Sequence, residues 1–344
     1  MGLNQMKVRI LDCASTDWSS VLARCVHDVY QTPAWVVASR HCDGGTGLAI
    51  HITDEEHDLL IPLIKRDINE REWDVTSPYG YGGPVTDAGE NLQFVEAEMN
   101  DAIAYLRDAG CVSWFIRLHP ILNEHWKNSA GLIVNNGSTV SINLAKTAEE
   151  HWRETMSGHR SDIEKARRAG VTTRLDKNFE TMHRFIEIYR ESMDRLNASE
   201  YYYFNDSYFS DLVSKLGERL LLLVAEEEGN VIGASMFTTS ISSGIMQYHL
   251  SAAASAYRHR QPAKIILHAA REWGRENGYS RLHLGGGLGG AEDSLFRFKR
   301  GFSPDIHLFQ TQRIVVDKER YAALSGQTVE SLDLTGYFPA YAKK

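Results

Sequence analysis

Cysteine is scarce in this chain: four in 344 residues, Cys13, Cys25, Cys42 and Cys111. They stand singly, without CxxC or Cys/His spacing, which argues against a zinc site and a secreted disulfide framework and leaves buried thiols of a reducing compartment. Long apolar runs are missing too. The longest, Leu220–Ala225, is far too short to span a bilayer, and Met1–Val21 has no basic segment followed by an apolar one, so a cytoplasmic location is expected. Positive charge is in deficit, with 37 Lys and Arg against 45 Asp and Glu for a net charge of −8. Broad coating of nucleic acid is thereby disfavoured, and any polyanion must meet a local basic patch. There is no GxSxG elbow, no HExxH and no GxxxxGK(S/T) loop, and no long heptad run that would make a coiled-coil arm. No metal site and no tightly bound cofactor are expected.

What is present is a globular chain, 43% apolar and 24% charged, long enough for two cores. The first half opens with a strand at Lys7–Leu11 and a helix through roughly Trp18–His27. Two alternating segments, Gly47–Ile52 and Asp58–Lys65, flank the polar turn Thr53–Glu56 as a hairpin. A glycine-rich loop, SPYGYGGP at Ser77–Pro84, precedes a helix in which Phe94, Val95, Met99, Ala102, Ile103 and Leu106 share a face. Gly110 ends it, and the strand CVSWFIRLHP follows. The second half repeats the plan: a helix over Phe179–Leu196, a hairpin of Leu220–Ala225 and Val231–Thr239, a strand at Gly244–Ser251, a helix opened by Pro262 and ended by Gly278, and a strand at Arg281–Leu284. Both closing strands carry Arg-Leu-His, at Arg117–His119 and Arg281–His283. The spacing predicts an internal duplication: an α/β (α+β) chain with a first unit at 1–146, a second at 147–325 and a tail at 326–344.

The segment richest in chemistry is LGGGLGGAEDSLFRFKRGF at Leu284–Phe302. Its glycines allow close approach to a ligand. Phe296 and Phe298 offer flat faces for a base, and Arg297, Lys299 and Arg300 offer charge to phosphate. The residues are equally consistent with a loop followed by an amphipathic segment whose phenylalanines are core. Gly285, Gly287 and Gly290 fit G-x-G-x-x-G, but too late in the chain for a dinucleotide fold. A second basic element, HRSDIEKARRAG at His159–Gly170, reads as a short helix capped by Ser161 and Glu164. Arg160, Lys165, Arg167 and Arg168 crowd it, either as an RNA or phosphate patch or as a solvated face. In the first half, Tyr79 and Tyr81 sit in a rigid turn and Arg117 and His119 at a strand end, suited to an acceptor pocket or to packing.

QTPAW at Gln31–Trp35, SPYGYGGP, FIRLHP at Phe115–Pro120, RSDIEKARRAGV at Arg160–Val171, YYFNDSYFSDL at Tyr202–Leu212, YHLSA at Tyr248–Ala252, and LGGG with DSLFRFKRGF occur in this order. Together they resemble the Fem (FemABX) transferases and the related Fem-like proteins of GNAT fold, over about nine-tenths of the chain. The resemblance implies two tandem GNAT-like domains, acceptor side first and donor side second. It also implies transfer of an aminoacyl group from aminoacyl-tRNA to an amine, in the best-known members on a peptidoglycan precursor. It puts Phe298 and Lys299 at the tRNA 3′ end, Arg195 at the acceptor's diphosphate, and Arg40 one residue from the family's other phosphate-binding position.

The competing expectation is an acetyl-CoA-dependent enzyme. A CoA-binding GNAT domain offers Q/R-x-x-G-x-G/A at a helix N-terminus. The matching stretch is Arg258-His259-Arg260-Gln261-Pro262-Ala263, where Gln261 replaces the first glycine and Pro262 removes a donor, although Arg258 and Arg260 still suit phosphate. A third expectation is a non-catalytic RNA-binding adaptor. Under the first reading the partners are the acceptor end of a charged tRNA and an amine-bearing small molecule or peptide. Lys299 recognises donor phosphate or carbonyl, Arg297 and Arg300 assist, and Asp293 and His249 are the candidate bases.

Overall fold

The computed structural model describes residues 7–89 and 91–343; the start of the expected first unit at Met1–Met6, with Glu90 and Lys344, lies outside the described residues. In chain order the elements are β1 (Lys7–Asp12), α1 (Thr16–Leu22), α2 (Pro33–Asp43), β2 (Thr46–Thr53), β3 (Asp58–Asp67), β4 (Trp73–Thr76), β5 (Val85–Thr86), α3 (Leu92–Asp108), β6 (Cys111–Arg117), β7 (Leu132–Asn143), α4 (Ala148–Glu154) and α5 (Ser157–Arg168). They continue with β8 (Thr172–Leu175), α6 (Met182–Arg195), α7 (Asp206–Leu216), β9 (Leu220–Glu227), β10 (Asn230–Ser240), β11 (Ile245–Ala253), α8 (Pro262–Glu276), β12 (Arg281–Gly286), α9 (Ser294–Arg300), β13 (Asp305–Val315) and α10 (Lys318–Ser325).

Two compact units form, one of residues 1–136 with 308–344 and one of residues 137–307. In the first, β1, β2, β3 and β4 pair antiparallel in sequence, β4 then pairs parallel with β6, and β6 pairs antiparallel with β13. In the second, β8, β9, β10 and β11 pair antiparallel, β11 pairs parallel with β12, and β12 pairs antiparallel with β7. The identical order, with its single parallel step, bears out the duplication at the level of topology. The sixth strand of each unit is exchanged: β7 follows β6 in sequence yet closes the second unit, and β13 follows β12 yet closes the first. This is why the units divide at 137 and 308 rather than near 147 and 325. The expected tail is also part of the first unit, with Phe338 and Tyr341 packed against Tyr321 and Phe115.

β3 shows how the strands read. Leu59, Ile61 and Leu63 enter one core with Phe94, Met99 and Trp114, while Leu60 and Ile64 enter another with Trp18, Leu22 and Val36. Successive side chains alternate faces, and helices cover both, so the strand is apolar from Leu59 to Ile64. In the second unit Leu223, Ala225, Met246 and Leu282 pack beneath Ile266 and Ala270 of α8 and Ile163 of α5.

Two local expectations differ. The first helix ends at Leu22, before the chain turns through Asp28, whose side chain caps the next turn by accepting from Val29 N. α5 begins at Ser157, so Ser161 lies inside it rather than at its cap. The reciprocal box closes instead at Thr147 and Glu150, which start α4.

Candidate active site

β11 and β12 pair only from Ile245/Arg281 to Gln247/His283 and then separate. Just past that point His249 is an extra residue in β11, because Tyr248 opposes Phe237 while Leu250 opposes Met236. Such a bulge bends a strand and re-aims its side chains beside a site. β12 continues past that point through Leu284, Gly285 and Gly286, and α9 reaches it through Lys299 on Gly286 O.

α9 turns FRFKR from an alternating segment into a helix, with Phe296 and Lys299 inward and Arg297 outward. Its cap is Asp293, whose Oδ1 accepts from Phe296 N at 2.8 Å and Oδ2 from Leu288 N at 3.0 Å. Burial opposes ionisation of this carboxyl, but the N–H groups of Phe296, Leu288 and Leu295, with the Lys299 charge, hold it below the usual range. Asp293 is thereby an organising anion, and a carboxylate held so low is a poor base. Gly287 allows the loop to close on it: a Cβ there would lie 2.0 Å from Ala291 O and 2.4 Å from Asp293 Oδ1. Gly287→Ala is expected to lower turnover by about 10²-fold through misplacement of α9, with the circular-dichroism melt lowered by the disturbed Asp293 cap, a loss of about 1 kcal/mol.

Lys299 is 8% exposed, and its Nζ donates to Gly286 O at 2.6 Å. Burial lowers the ammonium to about 8, against the opposing pull of Asp293. A cation held by one carbonyl, with donor capacity to spare, suits an oxyanion or a phosphate. Phe298 is half-buried, with its ring 5.6 Å from those of His159 and Phe302 and its carbonyl accepting from His159 Nε2. Arg300 donates to Ser303 O at 2.7 Å.

His249 is engaged with Tyr208, its Nε2 lying 2.6 Å from the phenol oxygen. Burial pushes the imidazole down to about 3, so it is neutral at physiological pH and too weak a base for the role expected of it. Sequence reading passed over its partner Tyr208 and over the hydroxyls of the neighbouring strands. Ser235 donates to Ser251 at 2.8 Å, and both act on the Tyr248 phenol, which burial raises to about 12. The period-two alternation of β10 and β11, with a bulge between, is what aligns them.

The other basic candidates separate by environment. Arg260 pairs with Glu227 at 2.7 Å, whereas Arg258 is exposed beside a cleft of about 360 Å³ that it lines with Ala253, His259, Gln261, Pro262 and Ala263. Gln261 there is left-handed and Pro262 opens α8. Arg160 turns back to the carbonyls of Trp152 and Arg153, leaving Lys165, Arg167 and Arg168 exposed on the last turns of α5. Arg195 donates to Ser255 Oγ at 2.8 Å.

In the first unit Arg40 is exposed near the end of α2. Trp35 and Gln31 donate to the carbonyls of Tyr79 and Tyr81, fixing the loop, and the Tyr81 ring packs edge-on against Tyr30 and Phe309. Arg117 donates to Ser77 O at 2.7 Å. His119 is fully buried on Asp28 at 2.9 Å, and its Nδ1 accepts from Ile121 N and Leu122 N, so its proton sits on Nε2. This places His119 in the scaffold. His119→Ala is expected to cost roughly 3 kcal/mol by breaking the buried pair with Asp28 and emptying the space of the ring, read as a lower urea midpoint. Among the described residues no group of three or more His, Cys, Asp or Glu is placed to hold a metal ion, and no helix is long and apolar enough to cross a membrane.

Residues 153–300 match the Acetyltransferase (GNAT) domain family. No curated protein matches the chain. Among solved structures, FemX is similar with a TM-score of 0.70 at 12% identity, over 92% of this chain and 99% of that one. The C-terminal domain of a putative lysylphosphatidylglycerol synthetase from Agrobacterium fabrum is similar at 0.57 and 13% identity, over 86% and 90%. L-PGS from Bacillus licheniformis is similar at 0.56 and 13% identity, over 88% and 93%. The chain therefore shares its fold with FemX over nine-tenths of its length, and the part of it at residues 153–300 is similar to the acetyltransferase (GNAT) domain family.

Proposed function

We propose that the protein is an aminoacyl-tRNA-dependent N-aminoacyltransferase acting in the cytoplasm, with its donor site in the second unit. The observation that carries this reading is the buried Lys299 ammonium at Gly286 O, beside the opening between β11 and β12. The ordered Fem-like motifs and the fold shared with FemX support it. The acceptor amine attacks the ester carbonyl of the aminoacyl group. An amide bond forms as the ester C–O bond breaks, and the leaving 3′-oxygen takes up the amine proton directly or through water. Lys299 holds the developing oxyanion or the terminal phosphate, Phe298 borders the terminal base, and Arg297, Arg300 and Arg258 serve the adjoining backbone. Lys165, Arg167 and Arg168 extend the phosphate-binding surface. With Asp293 and His249 committed to hydrogen bonds within the fold, the proton travels through the substrates.

The first unit serves the acceptor, a peptidoglycan precursor or another amine-bearing small molecule or peptide, with Arg40, Tyr79, Tyr81 and Arg117 about it; in the second unit Arg195 suits a diphosphate. A second reading, an acetyl-CoA-dependent N-acetyltransferase, is favoured by the acetyltransferase-family match over 153–300. It is disfavoured at α8, where Pro262 lacks an N–H and Arg260 is paired with Glu227. Incubation with a charged tRNA pool, acetyl-CoA and a panel of amines, read by mass, tests both. Aminoacylated amine with deacylated tRNA is expected. Product from acetyl-CoA alone would decide for the second reading, and tRNA binding without any transfer would reduce the protein to an adaptor.

A further inference from the structure

The duplication extends beyond the strands. In the second unit β12 carries Arg281-Leu282-His283, and the aromatic-lysine pair Phe298-Lys299 follows, just ahead of β13. In the first unit Arg117-Leu118-His119 instead runs off the end of β6, but an aromatic-lysine pair, Trp126-Lys127, likewise follows, just ahead of β7. Beside this pair β5 pairs with β3 at Leu59/Thr86 and Leu60/Val85, and α3 follows β5.

Here the first unit holds a cleft of about 520 Å³, lined by Val85, Leu92, Val95, Leu122, Trp126 and Lys127 among others. That volume fits a small molecule rather than a macromolecular surface. Leu92 is 53% exposed at its rim, which is costly for an apolar side chain that a ligand would cover. Trp126 is fixed by its Nε1 donating to Gln312 Oε1 at 2.9 Å. The two lysines differ in a way that matters. Lys299 is buried on a carbonyl, whereas Lys127 is exposed and makes no hydrogen bond or ion pair among the described residues. Its ammonium is free for an anion, and His125, beside it on the same lining, is likewise uncommitted.

We propose that this cleft is a second ligand site, for a small amphipathic anion: an alkyl or acyl body against Val85, Leu92, Val95, Leu122 and Trp126, with its oxyanion on Lys127. Phosphate and carboxylate heads share the required chemistry. The site is independent of the donor reading, since it lies wholly in the first unit.

Calorimetric titration of the full chain with octyl phosphate, octanoate and octylamine tests it. Octyl phosphate, octanoate or both should bind, and the one that binds more tightly assigns the head group. Octylamine should bind about tenfold more weakly or worse, and Lys127→Glu should lower anion affinity by about tenfold or more. Leu92→Asp should weaken the anions as well, and Lys299→Ala should leave them unchanged, so a failed transfer assay does not bear on this result. Equal binding of octylamine, unaltered anion binding by Lys127→Glu, loss of binding in Lys299→Ala, or no binding of either anion overturns the proposal. Lys127 is exposed, so its replacement leaves the fold intact, as an unchanged melting profile would record.

Discussion

Replacing Lys299 by methionine is expected to lower kcat for aminoacyl transfer by about 10²–10³-fold, the range for removing one oxyanion-stabilising group, without loss of stability. The second half of that expectation follows from burial. The ammonium is 8% exposed with one carbonyl to satisfy it, so an apolar chain of similar length keeps the packing and relieves the desolvation cost. Lys299→Ala should lose the same activity but leave a void. The pH profile supplies an independent measurement. The functional form is the ammonium, lowered by burial to about 8, so kcat should decline as the pH rises through that value. Lys299→Arg retains its charge at any pH reached in the assay. It should lack that alkaline limb while keeping only part of the activity, because the planar fork does not fit the place of an ammonium on Gly286 O. Full activity in the methionine variant would remove Lys299 from the mechanism.

Glu98→Gln is expected to stabilise the protein at neutral and alkaline pH. Glu98 is fully buried on α3, and neither carboxylate oxygen has a hydrogen-bond partner. Burial, with the charges of Asp54, Asp101 and Asp58 added, raises its carboxyl to about 8. The folded state therefore holds a proton that the unfolded chain releases near its ordinary 4.5. Between those two values the folded state binds more protons than the unfolded one, so stability falls as the pH rises. From about pH 5 to about pH 7 the loss is roughly 2–3 kcal/mol. Glutamine does not titrate, so the variant should match the parent near pH 5 and exceed it increasingly above. Urea midpoints across that range are the measurement. Parallel curves for the two proteins would mean that Glu98 is hydrated or paired in solution.

Much of the architecture was legible because it rests on local periodicity. β2, β3, β9 and β10 fall within two residues of the segments read as hairpin strands, and α3 and α8 follow their apolar stripes, the second opened by Pro262. The capping pattern at Ser161 and Glu164 misled because His159, packed on Phe298 and Phe302 and donating to Phe298 O, carries α5 back to Ser157. A local signal of about a kilocalorie yields to burial of that kind.

The site proposed for the donor was legible in composition and not in roles. LGGG and FRFKR marked it as a glycine-rich loop and a basic, aromatic segment, with no backbone geometry to say which of Phe298 and Lys299 turns inward. The helix sends Lys299 inward to Gly286 O and leaves Phe298 at the edge of the core. His249 and Asp293 have the residue types of bases, and only their partners, Tyr208 and the loop N–H groups, take that role from them.

What the sequence determined by itself was the duplicated plan and the aromatic-lysine segment with its glycines, since helical and strand periods and turn residues are properties of neighbouring positions. The exchange of β7 and β13, the bulge at His249 and the burial of Lys299 were decided by tertiary structure alone. Each depends on which distant segment supplies a strand edge or a carbonyl, and free energies of pairing and desolvation between residues far apart in the chain leave no local pattern to read.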